Sequence, residues 1–463
     1  MPRFLLNRTE IDTDAPEGSS LVDFLRNRQR LHGTKIGCRE GDCGACTVLV
    51  GERLDGRLNY RTMASCLTPL GNVAGKHVVT IEGINQEQLS FIQAAFVELN
   101  ATQCGFCTPG FILSVYGFCL DGRPKTMAEA VEAVAGNICR CTGYASIRAA
   151  LETIVAKVQA MDPGDPLPWL VANRFLPDYF LGIADRLEAL PAAPLRPGGG
   201  YPLAGGTDLL IQDFHRANDA PAVDLLWGVE PRRKITVADG RCTIGSACTI
   251  SQIKESGELA GLLPDLPGHL SLMASRPIRN MGTVGGNLAN ASPLGDLTVI
   301  LMGLEATLQL SRQGSMRLRD FYTGYKTTRL LPQEIIESVS FEAPGRHTRF
   351  SFEKTSKRAH LDMATVNSAM RVELEAGRIR RAALAVGSLG PTVLHLEATS
   401  SFLAGKALDN ATCTEANRIA QGEIAPLSRH PGDGEYKRAL LRQHLLIHFL
   451  KLSPGCVTLE AVR

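Results

Sequence analysis

The sequence predicts a multidomain α+β protein, and three observations carry that prediction. Eight of thirteen cysteines fall into two compact sets in the first third of the chain. Strand-like and helical patterns come in blocks along the chain. A stretch rich in proline and glycine near residues 161–195 separates the cysteine-bearing part from the rest. At 463 residues the chain suggests three or four domains, taking roughly 100–200 residues for each.

Residues 3–8 (RFLLNR), 47–50 (TVLV) and 76–81 (KHVVTI) read as short strands. They surround a helix at 20–31 with Ser19 and Ser20 as N-caps and Leu21, Phe24, Leu25 and Leu31 on its apolar face. This makes a small unit over 1–82. Over 83–160 the pattern turns helical: Leu89, Ile92, Ala95, Phe96 and Leu99 recur at helix spacing, and FILSVYGFCL follows Pro109 and Gly110. Thr126-x-x-Glu129 opens a third helix with a capping-box pattern, and ASIRAALETIVAKVQA closes a four-helix bundle. Residues 161–195 read as a surface connector. Alternating strands and helices then predict one domain over 196–345 and a last α+β domain over 346–463.

Composition narrows the function. With 49 basic and 47 acidic residues the net charge is +2, too little to recruit nucleic acid. No apolar run approaches the roughly 18 residues of a membrane span, and MPRFLLNRTEID has no signal-peptide pattern. The expected location is the cytosol, where clustered cysteines bind metal more often than they form disulfides. Cys119, Cys242, Cys248, Cys413 and Cys456 have no ligand spacing and read as small buried hydrophobes. No histidine grouping suggests another metal site, and no nucleophile–base pair is readable, so no catalytic residue for an organic substrate is expected.

The first set, Cys38-x4-Cys43-x2-Cys46 followed by Cys66, has the plant-type ferredoxin spacing for a [2Fe–2S] cluster. Gly41 and Gly44 let the loop turn tightly enough to point three thiolates inward. Structural zinc is the competing reading, but zinc sites pair two short knuckles. The second set, Cys104-x2-Cys107 with Cys139-x-Cys141, lies before two helices. Alone it also suits zinc or a redox C-x-x-C pair, and the neighbouring ferredoxin-like unit favours iron–sulfur. Two glycine-rich stretches, LAGGTDL at 203–209 and GTVGGNLANASPLGDL at 282–297, match neither a P-loop nor a Rossmann fingerprint. Their backbone N–H groups suit a pyrophosphate, with Thr207, Thr283 and Asn287 as polar neighbours and Asp208 or Asp296 as hydroxyl acceptors. Taken alone, each Gly-Gly is a turn and Lys354 a solvated lysine.

GCREGDCGACTV, QCGFCTPG and GNICRCTGY, in this order, resemble the signatures of the molybdenum hydroxylases, the xanthine oxidoreductase family. The resemblance implies a β-grasp [2Fe–2S] domain, a four-helix [2Fe–2S] domain, a vanillyl-alcohol-oxidase-type FAD domain and a C-terminal flavoprotein domain. By position, Leu203, Ala204, Gly205, Gly206, Thr207 and Asp208, with Thr283, Val284, Gly285, Gly286 and Asn287, would hold the FAD diphosphate. Asp296 would hold a polar part of FAD, Lys354 would contact the flavin, and Gln103 would lie near a molybdopterin. Because the sequence ends without a molybdopterin domain, it resembles the small subunit of the family's two-subunit bacterial members. The implied partner is a large molybdopterin subunit, in a heterotetramer of two small and two large chains, with a purine oxidised at molybdenum and NAD+ as acceptor. Carbon monoxide, aldehyde and N-heterocycle enzymes of the family share these motifs. Outside that role, a stand-alone iron–sulfur flavoprotein NAD(P)H reductase and a zinc-stabilised binding module are the other classes considered.

Overall fold

The computed structural model describes every residue except Asp55, 191–198, Pro231, 425–432, Cys456 and 459–463. Cys456 and the end of the expected connector therefore lie outside the described residues. The chain forms two compact units, Met1–Trp227 with Ala274–Gly282, and Gly228–Met273 with Thr283–Arg463.

In the first unit β1 (Arg3–Leu6), β2 (Thr9–Asp12), β3 (Thr47–Leu54), β4 (Arg57–Ala64) and β5 (His77–Val79) form one sheet in the order β2-β1-β5-β3-β4. Only β1 and β5 run parallel. The edge strands β2 and β4 escaped the sequence reading, because TEID is almost wholly exposed and RLNYRTMA lacks clean alternation. Ser20 caps α1 (Leu21–Asp23) by accepting from the Asp23 amide. A π-turn over Phe24–Arg28 ends the helix earlier than its apolar pattern suggests.

The bundle follows, with α2 (Ile81–Ile84), α3 (Phe91–Glu98), α4 (Thr108–Leu120), α5 (Met127–Val134) and α6 (Ala145–Val158). Ser90 and Gln93 form a reciprocal capping box on α3. On α5 only half of the expected box forms: Thr126 accepts from the Glu129 amide, while the Glu129 carboxylate pairs with Arg123 at 3.0 Å. Every residue of α4 from Gly110 to Leu120 is buried, so this helix is the bundle's axis.

The segment expected to be an open connector is folded. Helices Pro166–Ala172 and Ile183–Glu188 bury Leu170, Phe175, Phe180 and Ile183. The Tyr116 hydroxyl, at the centre of α4, donates to the Phe175 carbonyl at 2.7 Å. Prolines misled because they sit in a first helical turn, where a missing N–H costs nothing.

In the second unit an antiparallel five-stranded sheet holds Arg241–Gly245 and Ile336–Glu342 near its centre. A second sheet is built on Thr348–Thr355, Val366–Glu375 and Arg378–Gly387. Helices Asp296–Gly303 and Asp433–Leu452 both pack on Val366–Glu375, which is buried from Val366 through Glu373 despite its polar residues. Ser368 is held by two histidines. Ser368 Oγ bonds His444 Nδ1 at 3.0 Å and His448 Nε2 at 2.8 Å, while His448 Nδ1 reaches Ser351 at 2.9 Å and His444 Nε2 reaches Thr355 at 2.8 Å.

Burial pushes His444 down to about 4 and His448 well below the ordinary histidine value, with the Lys451 ammonium adding to both. Lys451 is itself paired with Glu353 at 2.6 Å. Both imidazoles are neutral in the fold, so the unfolded chain binds more protons once pH drops below about 6.5. Stability contributed here is full above that pH and is lost progressively as pH falls towards 4. Hydrogen exchange along Asp433–Leu452, corrected for its intrinsic pH dependence, is expected to accelerate over that window; unchanged protection at pH 5 contradicts this.

Candidate functional site

The first cysteine set sits in the loop before β3 and in the turn after β4. Cys46 and Cys66 are buried, while Cys38 and Cys43 are half-buried. Their sulfurs meet in pairs. A hydrogen bond from Cys43, together with backbone N–H groups of residues 40, 42 and 43, overcomes burial and pulls Cys38 down to about 5. The same bond, then burial, pushes Cys43 up. Cys66 likewise donates to Cys46, lowering Cys46 and raising itself. The Glu40 amide lies 3.3 Å from Cys38 Sγ. Arg39, held by Asp23 at 2.7 Å, places a guanidinium close enough to Cys46 and Cys66 to feel their charge.

The second set pairs in the same way. Cys141 Sγ donates to Cys104 Sγ at 3.6 Å, and burial, helped by the bond Cys107 donates to Cys139, pushes Cys107 up to about 12. Burial works to raise Cys139, but the Thr142 hydroxyl at 3.2 Å and the Thr142 and Cys141 amides prevail and bring it down to about 7. Cys107 is the N-cap of α4, and Tyr144, at φ 68°, that of α6; the Tyr144 hydroxyl accepts from the Cys139 amide at 3.0 Å. Cys104 and Cys141 are exposed, as are Gln103, Phe106 and Tyr144.

Among the described residues no three histidine, cysteine or acidic side chains close around a single ion. Each set instead offers two pairs of thiolates. Two pairs fit a [2Fe–2S] rhomb, in which each iron takes two protein ligands.

The two loops touch. The Ile138 amide donates to the Cys43 carbonyl at 3.0 Å, and Asn137 Nδ2 donates to the Gly44 carbonyl at 3.0 Å. Gly44 has φ 67°, and a Cβ there would lie 2.4 Å from the Gly136 oxygen, so only glycine fits.

The glycine-rich stretches fall in different units. Leu203 ends a short strand (Tyr201–Leu203), and its carbonyl accepts from the Leu226 amide. The Ala204 carbonyl accepts from Asn72 at 2.8 Å. Gly206, at φ 79°, approaches Pro69 and the Leu67 carbonyl, next to Cys66, so closely that a Cβ would lie 2.7 Å from the proline ring. Gly205 packs on the Met281 carbonyl, and Thr207 and Asp208 are half-buried before helix Leu209–Gln212.

In the second unit Thr283 caps helix Val284–Ala289 by accepting from the Gly286 amide at 3.1 Å. Gly285 lies against Ser246. This helix packs on Asp296–Gly303. Lys354 is not a solvated lysine: it is 2% exposed and bonds Asp296 at 2.7 Å and the Leu272 carbonyl at 3.0 Å. Asn367 takes the other Asp296 oxygen at 2.5 Å. Burial raises the Asp296 carboxyl, against the pull of Lys354. Asn287 Oδ1 is buried without a partner, which fits a ligand donating a hydroxyl to this region. Asn367, Asn72, Arg39 and Asn137 were given no role in the sequence reading; Arg39, inside GCREGDCGACTV, and Asn137, inside GNICRCTGY, had a motif to point to them.

Four family models match in succession. They are a 2Fe-2S iron–sulfur cluster binding domain over 4–71, a [2Fe-2S] binding domain over 80–152, the FAD binding domain in molybdopterin dehydrogenase over 183–341, and the CO dehydrogenase flavoprotein C-terminal domain over 351–452. The chain belongs to the molybdenum hydroxylase family. It is the iron–sulfur and FAD part of such an oxidoreductase, with iron–sulfur clusters and FAD as its cofactors. It is 26% identical to the xanthine dehydrogenase of Drosophila subobscura over 97% of the chain and 39% of that protein. It is also 26% identical to aldehyde oxidase 1 of Macaca fascicularis over 99% and 40%. The chain thus spans about two-fifths of these curated relatives. Reconstituted CO dehydrogenase from Oligotropha carboxidovorans superposes with a TM-score of 0.51 at 27% identity, over 56% of this chain and 91% of that one. Quinoline 2-oxidoreductase from Pseudomonas putida 86 gives 0.50 at 27%, over 55% and 90%.

Lys354→Met leaves the Asp296 carboxylate buried with no cation, a change that costs about 3–5 kcal/mol. Bound flavin per chain and the melting temperature are both expected to fall, and adding Asp296→Asn is expected to recover part of the loss. Unchanged flavin content and melting temperature contradict this role.

Proposed function

We propose that this chain is the electron-transfer part of a xanthine dehydrogenase. Hypoxanthine and xanthine are hydroxylated to urate on a molybdopterin-bearing partner subunit, and the electrons leave through this chain to NAD+. Cys104, Cys107, Cys139 and Cys141 would hold one [2Fe–2S] cluster, and Cys38, Cys43, Cys46 and Cys66 the other. Leu203–Asp208 and Thr283–Asn287 would hold FAD, with Asp296 and Lys354 as further contacts. Once bound, the clusters supply one-electron transfer and FAD supplies two-electron storage and hydride delivery. The assembly is a heterotetramer of two such chains and two large ones, in the cytosol.

One observation carries the reading: three groups follow each other within the first unit. The exposed pair Cys104 and Cys141 offers an entry. The Ile138–Cys43 bond joins that set to the first one. Gly206 of the flavin segment then packs on Leu67, beside Cys66. Arg39 and the sulfur-directed amides of both loops stabilise negative charge on the sulfurs, as an anionic cluster requires. Alignment over nearly the whole chain with xanthine dehydrogenases supports the purine reading. Equal similarity to aldehyde oxidases favours an aldehyde as the second.

The purified complex is expected to carry four irons, as two clusters of two, and one FAD for each chain. Xanthine is expected to bleach its visible absorption, and NAD+ to restore it with formation of NADH. Bleaching by an aldehyde alone selects the second reading. A colourless protein holding zinc contradicts both.

A further inference from the structure

The bond from Ile138 to the Cys43 carbonyl joins two backbones, so nothing in it depends on side-chain identity. Yet it is the short route between the sets. From Cys43 it crosses one hydrogen bond of 3.0 Å to the Ile138 amide, and the next residue is Cys139. Something beside it has to hold the two loops at that spacing.

Asn137 is 5% exposed, with its side chain pinned at both ends. Its Nδ2 donates to the Gly44 carbonyl at 3.0 Å, in the loop between Cys43 and Cys46. Its Oδ1 accepts from Ser114 at 2.7 Å, on the central helix α4. Its backbone amide bonds the Val134 carbonyl at 2.9 Å, which ties it to the end of α5. A Cβ at Gly110 would come within 2.3 Å of the Gly44 oxygen, so α4 approaches the same carbonyl closely. Three elements therefore converge on one side chain: the first-set loop, the helix that Cys107 caps and the turn that carries Cys139.

We propose that Asn137 is a positioning residue that holds the Cys43 and Cys139 loops in register and so sets the electronic coupling between the two iron–sulfur groups. This rests on the ligand assignment proposed above. Its amide is neutral and touches no sulfur, so it acts on the distance between the groups and leaves their ligand sets complete.

The test is electron paramagnetic resonance of the dithionite-reduced holoenzyme. Each reduced [2Fe–2S] group then carries one unpaired electron, and their magnetic interaction splits the low-temperature signals by an amount that falls steeply with separation. In Asn137→Ala with four irons retained, the splitting is expected to collapse and the Ile138 amide to exchange faster. Asn137→Asp, which keeps the shape but turns an oxygen toward the Gly44 carbonyl, is expected to change the splitting in the same direction. Four irons with the splitting of the unsubstituted protein overturn the proposal. If Asn137→Ala loses a cluster, Ser114→Ala decides, since it frees Oδ1 alone: a narrowed splitting supports the proposal and an unchanged one overturns it. An unsubstituted protein without four irons would instead sink the ligand assignment, and the iron count keeps the two failures apart.

Discussion

Two cysteine loops, one carrying Cys38, Cys43 and Cys46 and the other Cys139 and Cys141, have to lie side by side without negative charge on their sulfurs driving them apart, and the rest of the first unit follows from how that is done. The contact is made by backbone: the Ile138 amide on the Cys43 carbonyl, flanked by Asn137 on Gly44. Charge is managed locally by N–H groups and hydroxyls aimed at sulfur and by the Arg39 guanidinium. Because Gly44 and Gly110 have no side chains, the bundle's central helix can press directly on the ferredoxin-like loop. The sheet and the bundle are thereby one body, and the helical segment after residue 161 closes over it through Tyr116 and Phe175.

The same logic extends to the flavin side. Gly206 brings the first glycine-rich segment against Pro69 and the carbonyl of Leu67, the residue after Cys66. In the second unit the buried Lys354–Asp296–Asn367 group braces the helix that begins at Asp296. A lysine and a carboxylate that both leave water repay their desolvation only through close pairing. That makes this group a rigid brace for that helix in a way a surface ion pair could not be.

Much of this was legible in the sequence, for identifiable reasons. Cysteine spacing encodes the two sets, because ligand geometry leaves little freedom in a loop. The bundle's helices were legible from their apolar repeats and caps. The edge strands Thr9–Asp12 and Arg57–Ala64 were not, since the first is almost wholly exposed and the second lacks clean alternation. The 161–190 segment was misjudged because proline in a helix's first turn reads like proline in a loop. The pairing of Lys354 with Asp296 and the bond from Asn137 to Gly44 had to wait for the fold: they join positions 58 and 93 residues apart, which no local pattern records.

The central claim is an order: partner, then the Cys104 set, then the Cys38 set, then FAD. Cys104→Ser in the holoenzyme tests it most directly, with flavin reduction followed from both ends. If the order is right, NADH still reduces the flavin and the Cys38-set signal, while xanthine no longer reduces either. Flavin reduction by xanthine at the unsubstituted rate, with the Cys104-set signal gone, would contradict it.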